Sequence, residues 1–203
     1  NKSRHAVEEC YDTLRYLGVP VPAEPMYPLS LPQYELPQSK LDWKVRIAIA
    51  PISRWVTKNW PAENFIQLAA RLERELNAAI YVVGGPAEKD LGEKIIAATT
   101  AGVNLCGVTS IAETMAALKQ MDVLVSNDSG PMHMGVVTGV PVAVPFGPTL
   151  PERTGPYGEG NLVVRANNCK PCRKRVCPKG TMECMTGISV DMMFDAVCKL
   201  LKR

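Results

Sequence analysis

The 203 residues suffice for one or two domains, and 46% hydrophobic with 21% charged content is that of a chain able to bury a sizeable core. No apolar run approaches the roughly 18 residues that span a bilayer, and the opening "NKSRHAVEEC" has neither the apolar stretch nor the cleavage site of a signal peptide, so a cytoplasmic protein is expected. A net charge of +3 spread over scattered basic residues gives no reason to expect a nucleic-acid partner.

The chain begins without Met and runs directly into the amphipathic pattern Ala6, Val7, Cys10, Tyr11, Leu14, Leu17. That spacing predicts a helix near 3–17, closed by Gly18 and Pro20, and the abrupt start reads as a cut from something longer. Cys10, Cys106 and Cys198 read as core positions of helices or strands. Residues 19–42 hold Pro20, Pro22, Pro25, Pro28, Pro32 and Pro37, too many for helix or central strand, and are expected to form an extended linker. A compact domain over 43–203 begins near Trp43. Strand-like runs at 45–50, 79–83, 103–106, 122–127, 141–146 and 161–166 alternate with helical patterns at 61–76, 87–99, 110–119, 130–138 and 189–202. Short, continuously apolar strands separated by helices predict an α/β fold, a doubly wound parallel sheet covered on both faces.

In such sheets ligands bind beyond the carboxyl ends of the strands, and those ends here carry "PISRWVTK", "GGPAEKD", "SNDSGPMH" and "FGPTLPERTGP". After the fourth run, Asp128, Ser129 and Gly130 precede a helix with Pro131 in its first turn. Ser129 or Gly130 can cap that helix, Gly130 admits a ligand to the backbone, and the terminus suits an anion. A carboxylate repels phosphate, so Asp128 in a functional role accepts from sugar hydroxyls; otherwise Asp128 and Ser129 are simple caps. His133 reads equally well as a phosphate donor or as a hydrogen-bonded core histidine. Ser53, Arg54 and Lys58 together offer a hydroxyl and two cations for a diphosphate. Glu88 follows Gly84-Gly85-Pro86, where an acidic group can hold ribose hydroxyls or merely favour a helix start.

Quoted together, "SRWVTKNWPAENF", "VVGGPAE", "NLCGVTSIAE", "VSNDSGPMHMGVVTGVPVAVPFGPT" and "TGP" resemble the donor-binding half of the ADP-heptose:lipopolysaccharide heptosyltransferases, glycosyltransferase family 9. The resemblance runs from about Val45 to the C-terminus, and the helix at 1–18 looks like that family's interdomain connection. It implies a Rossmann-like C-terminal domain of a two-domain GT-B enzyme that transfers heptose from ADP-heptose to the lipopolysaccharide inner core with inversion. On this resemblance Ser53 and Lys58 hold the diphosphate, Glu88 the ribose, and the segment around Thr109 the adenine. Asp128 takes heptose hydroxyls, while Ser129, Gly130 and His133 complete the phosphate site. No metal is needed for the chemistry, and Lys58 stabilises the leaving group. The acceptor is a lipid-linked oligosaccharide at the cytoplasmic face of the inner membrane, with peripheral membrane contact as a further expectation. The base belongs to an amino-terminal domain outside this sequence, so this chain alone is expected to bind ADP and transfer nothing.

Cys169, Cys172, Cys177 and Cys184 form a C-x2-C-x4-C-x6-C pattern that suits a structural metal, zinc or iron–sulfur, or else free or oxidised thiols pinning a long loop. Lys170, Arg173, Lys174, Arg175 and Lys179 make that loop basic, which suits anionic lipid or phosphate and equally a solvated face. A nicotinamide enzyme is disfavoured because "VRIAIAP" runs into Ile52-Ser53-Arg54 without a G-x-G-x-x-G turn. A nucleotide-sugar epimerase of GT-B architecture and a non-catalytic metal or redox module remain as alternatives.

Overall fold

The computed structural model describes residues 4–22, 27–37 and 43–202; expectations falling on 1–3, 23–26, 38–42 and 203 lie outside the described residues. Strands β1 (Val45–Ala50), β2 (Ala78–Val82), β3 (Val103–Asn104), β4 (Val123–Ser126), β5 (Val142–Pro145) and β6 (Leu162–Val164) form one sheet in the order β3-β2-β1-β4-β5-β6. Every pairing is parallel, with Ile47 opposite both Ile80 and Val123 at the centre. All residues of β2, β4 and β5 are buried, as strands covered on both faces require.

Alternate side chains divide between two cores. Ile47, Ile49, Ile80 and Val125 point to the face covered by α2 (Ala62–Leu76), α3 (Lys89–Ile96) and α8 (Val190–Leu201), through Phe65, Leu68, Ile95 and Val197. Ala48, Ala50, Tyr81 and Leu124 point to the face covered by α4 (Ile111–Leu118) and α5 (Gly130–Thr138), through Leu118 and Met132. Gly135 lets α5 lie close on the sheet, since a Cβ there would stand 2.7 Å from Leu124 Cδ2. Helix α4 opens with a reciprocal capping box between Ser110 and Glu113.

The expected α/β sheet is present, with shorter edges. The third run is strand only over two residues, and Pro86–Glu88 forms a tight 3-10 turn ahead of α3. Two helices of four residues, α6 (Pro151–Thr154) and α7 (Glu183–Thr186), were not anticipated. The expected core role of Cys10 is wrong: α1 (Ala6–Tyr16) buries no residue and Cys10 is exposed, because its apolar stripe has no described partner element to cover it. Polar contacts seat α1 instead. His5 accepts from Val7 N through Nδ1, so its Nε2–H donates to Gly155 O at 3.1 Å, the Tyr157 hydroxyl donates to Glu8, and Arg153 pairs with Glu9 at 3.3 Å. Residues 27–37 have no regular structure and run along the α4 side, where Gln120 donates to Tyr34 O at 2.9 Å.

Candidate functional site

A cleft of about 720 Å³ opens where the chain order reverses, beyond the carboxyl ends of β1 and β4. Its wall is made by the loop after β1, the glycine turn after β2, the loop into α4, and the start of α5. Ser53, Arg54, Lys58, Glu88, Thr109, Asp128, Ser129 and Gly130 all line it. Seven polar or charged groups from four strand ends thus converge with one bare glycine. His133 is the exception among the residues singled out, lying outside the lining at an exposed position one turn along α5.

Asn127, fully buried, organises the cleft. Its Nδ2 donates to Pro51 O at 2.6 Å, and its Oδ1 accepts from Trp60 N at 3.0 Å. These bonds tie the end of β4 to both ends of the loop that carries Ser53 and Lys58. Asn59 completes the tie by accepting from Ser53 N at 2.7 Å, while Ser53 Oγ donates to Trp55 O at 2.9 Å. Trp60 anchors the far end, buried edge-on against Phe65 with Nε1 donating to Ile188 O. Sequence reasoning missed Asn59 and Asn127, because an asparagine beside a turn looks the same whether it caps, turns or bridges.

Lys58 Nζ lies 2.8 Å from Asp128 Oδ2, the lysine largely and the aspartate almost wholly buried. Thr149 Oγ1 donates to the same oxygen at 2.6 Å. Asp128 Oδ1 has no hydrogen-bond partner among the described residues, so one oxygen of this carboxylate is locked and the other is available. Thr149 was also missed; its only signal was its place in "FGPT", at another strand end. Lys58 Nζ further lies 4.9 Å from the Trp55 ring centroid, which keeps the ammonium on the cleft side.

The start of α5 carries no side-chain cap. Ser129 is extended and its hydroxyl donates back to Asn127 O at 3.2 Å, so the capping expected of it does not occur. First-turn N–H groups are therefore left for another acceptor, and a Cβ built on Gly130 would meet nothing within 4 Å. His133 is held below its ordinary pKa, first by crowding that strips water from part of its ring, then by His5 and Lys58; Asp128 opposes them. Across the cleft, Gly84 and Gly85 leave room for the Glu88 side chain, which would stand 2.9 Å from a Cβ on either. Behind it the buried Cys106 thiol is pushed up to about 12, chiefly by burial, and is inert. The Thr109 hydroxyl is taken by Thr114 at 2.8 Å, while Ile111 and Met134 present apolar surface suited to a flat ring.

Electrostatically the cleft is divided. Cation and helix terminus stand at the β1 and β4 side, with a carboxylate and an apolar shelf toward α3 and α4. That layout accepts an elongated ligand with an anionic middle, a hydroxylated sugar and a planar end.

The family model described as Glycosyltransferase family 9 (heptosyltransferase) matches residues 1–183. Lipooligosaccharide heptosyltransferase 2 of Campylobacter jejuni subsp. jejuni is 30% identical over 151 residues, 71% of this chain and 47% of its own length. Lipopolysaccharide core heptosyltransferase OpsX of Haemophilus influenzae is 29% identical over 168 residues, 80% of this chain and 48% of its own. Among solved structures, a glycosyl transferase family 9 protein from Veillonella parvula superposes with TM-score 0.70 at 27% identity, covering 78% of this chain and 46% of that one. The E. coli heptosyltransferase WaaC with ADP gives 0.71 at 20% identity, covering 98% and 58%, a likeness of fold. The chain spans about half the length of the curated relatives it matches. Because the match runs from α1 through every strand end that builds the cleft, this chain belongs to glycosyltransferase family 9.

Proposed function

We propose that the chain is the donor-binding half of an inverting transferase that moves heptose from ADP-heptose to the lipopolysaccharide inner core. The observation that carries this reading is the pairing of Lys58 with the uncapped start of α5 on either side of Asp128, at the switch point of the sheet. The adenine lies on the Ile111 and Met134 shelf, Glu88 takes the ribose hydroxyls, and the diphosphate reaches Ser53, Arg54, Lys58 and the N–H groups from Gly130 onward. Asp128 Oδ1 accepts from sugar hydroxyls while Oδ2 stays with Thr149.

Bond breaking builds negative charge on the departing diphosphate and oxocarbenium character on the sugar. A lysine and a helix terminus fixed at the diphosphate therefore stabilise the transition state more than the ground state, without a metal. Lys58 reaches this role by leaving or sharing Asp128, so the free enzyme holds its cation in place before the donor arrives. The family resemblance assigns the acceptor's base to no residue of this chain. Membership of a family described as heptosyltransferases favours transfer over the epimerase and over a metal or redox module as the principal activity.

Among the described residues no helix is long and apolar enough to cross a membrane. A cytoplasmic location with peripheral contact to the inner membrane, where a lipid-linked acceptor resides, fits the exposed basic residues Lys170, Arg173, Lys174 and Arg175. Calorimetric titration of the chain with ADP, UDP and ADP-heptose in parallel tests the donor assignment. ADP and ADP-heptose should bind and UDP should bind more weakly; preference for UDP, or no binding by any of the three, would overturn it.

A further inference from the structure

Lys58 and Asp128 stand as an ion pair in the free protein, and a diphosphate can take the lysine only by drawing it from that pair. What becomes of the carboxylate then depends on its other neighbours. Asp128 is 5% exposed, and among the described residues its hydrogen-bonding and ionic side-chain partners are Lys58 Nζ at 2.8 Å and Thr149 Oγ1 at 2.6 Å, both on Oδ2. No enclosed polar side-chain atom among the described residues lacks a hydrogen bond, so the unpartnered Oδ1 opens to the cleft.

The two donors are mounted differently. Lys58 ends the short turn Val56–Lys58 and reaches Asp128 on a flexible four-carbon stem, and its ammonium carries three protons that can turn to another acceptor. Thr149 is itself buried, on a segment fixed on both sides. Before it, Phe146 N donates to Val164 O at 2.8 Å, Arg173 N donates to Pro148 O at 2.7 Å, and Gly147 lies so close to α7 that a Cβ there would stand 3.0 Å from Cys184 Sγ. After it, Leu150 O accepts from Arg153 N at 3.0 Å and from Thr154 N at 3.1 Å. The hydroxyl of a β-branched residue on so fixed a backbone has few other positions to take. One donor is free to leave and the other is not.

We propose that Thr149 is a positioning residue for nucleotide binding, whose hydroxyl holds Asp128 in place when Lys58 passes to the diphosphate. An almost enclosed carboxylate that lost its lysine and had no second donor would stand unpaired beside an arriving diphosphate, unfavourable both in desolvation and in repulsion. With Thr149 donating to Oδ2, the carboxylate keeps a charge-assisted hydrogen bond, and Oδ1 stays turned to the cleft. Without that hydroxyl, Asp128 retains the lysine and competes with the ligand for its cation. Thr149 lies outside the lining of the cleft, so it acts through Asp128 and not by touching the nucleotide. The inference rests on the reading that Lys58 meets the diphosphate.

The test is a double-mutant cycle read by calorimetric titration with ADP. Thr149→Val removes the hydroxyl at nearly constant volume and should weaken ADP binding about tenfold, within the strength of a hydrogen bond to a charged group. Thr149→Ser keeps the hydroxyl and should restore binding to within about twofold of wild type. In an Asp128→Asn background, where no carboxylate holds Lys58, Thr149→Val should change ADP affinity by less than about twofold. A threonine that only supports the fold would lower the urea stability of Thr149→Val and leave ADP affinity as it was; that result overturns the inference, as does an equal loss in both backgrounds. Should Thr149→Val not fold, the Thr149 hydroxyl proton of the wild-type chain decides by NMR. It should stay protected from solvent exchange when ADP is added, and loss of that protection overturns the role. Wild-type chain that binds no ADP, or Lys58→Ala that binds it unchanged, removes the donor reading and this inference together. ADP binding weakened by Lys58→Ala but untouched by Thr149→Val removes this inference alone.

Discussion

Asp128 and Lys58 are each other's partners before they are anything else's, and this changes what their substitutions do. Lys58→Ala removes a charge-assisted contact to the diphosphate, costing about 1.5 kcal/mol of ADP affinity by titration, less than the full contact because Lys58 first has to leave Asp128. It also strands a carboxylate that is only 5% exposed, so folding stability in urea should fall by about 1–3 kcal/mol. Adding Asp128→Asn to Lys58→Ala should recover stability and leave affinity low; a double variant as unstable as the single one would mean the pair is not the cause. Alone, Asp128→Asn should weaken ADP-heptose relative to ADP, since only the sugar loses its acceptor, and equal losses would remove the sugar role from this carboxylate. His133 supplies the pH dependence. Its pKa is depressed below the ordinary value of about 6.5, so the unfolded chain takes the proton first and stability is lost as pH falls through that value. His133→Asn should remove that loss, read as urea stability compared between about pH 8 and about pH 6. The types of these residues were readable in sequence, whereas Thr149, Asn127 and the Lys58–Asp128 pairing were not, since each contact joins strand ends far apart in the chain.

At the scale of elements, α5 meets the sheet and the cleft with two different glycines. At Gly130 an added side chain enters open space, so Gly130→Val should fold natively by circular dichroism yet weaken ADP and ADP-heptose alike by obstructing the backbone that both approach. Gly135 faces the opposite way, and Gly135→Ala should leave the binding residues untouched while lowering stability in urea by about 1–3 kcal/mol through overpacking against Leu124. Reversal of these two outcomes would mean the helix is seated differently. The strands were legible because runs such as "VRIAIA" and "DVLVSN" are apolar on both faces, helix α8 because its apolar period and its Ser189 cap agree, α2 because its period runs on from Pro61, and α5 because Pro131 and Gly139 bound it. Edges were less so: β3 and β6 pair on one side only. The stripe on α1 misled about Cys10, since an amphipathic pattern announces a face to be covered without saying what covers it.

For the molecule as a whole, the order of the strands sets where chain segments of very different position are sewn together. β1 and β2 are joined through the Lys58 loop and α2, whereas β1 and β4 meet across a separation of 76 residues, as the Arg46 N to Asp122 bond measures. Loop closure over that distance is costly, so the β1–α2–β2 unit has the entropic advantage of forming early and the β1–β4 seam closes late. The cleft straddles that seam, with Lys58 on one lip and Asp128 on the other. Nucleotide therefore has nothing to bind until the last pairing is made, and it acts on one rate only. At about 100 times its Kd, ADP adds roughly 2.7 kcal/mol to the native state, which should emerge in stopped-flow denaturant jumps as about 100-fold slower unfolding with refolding unchanged. Refolding accelerated by ADP would mean that the two lips meet early, and that the ligand site is a nucleus of folding instead of its final stitch.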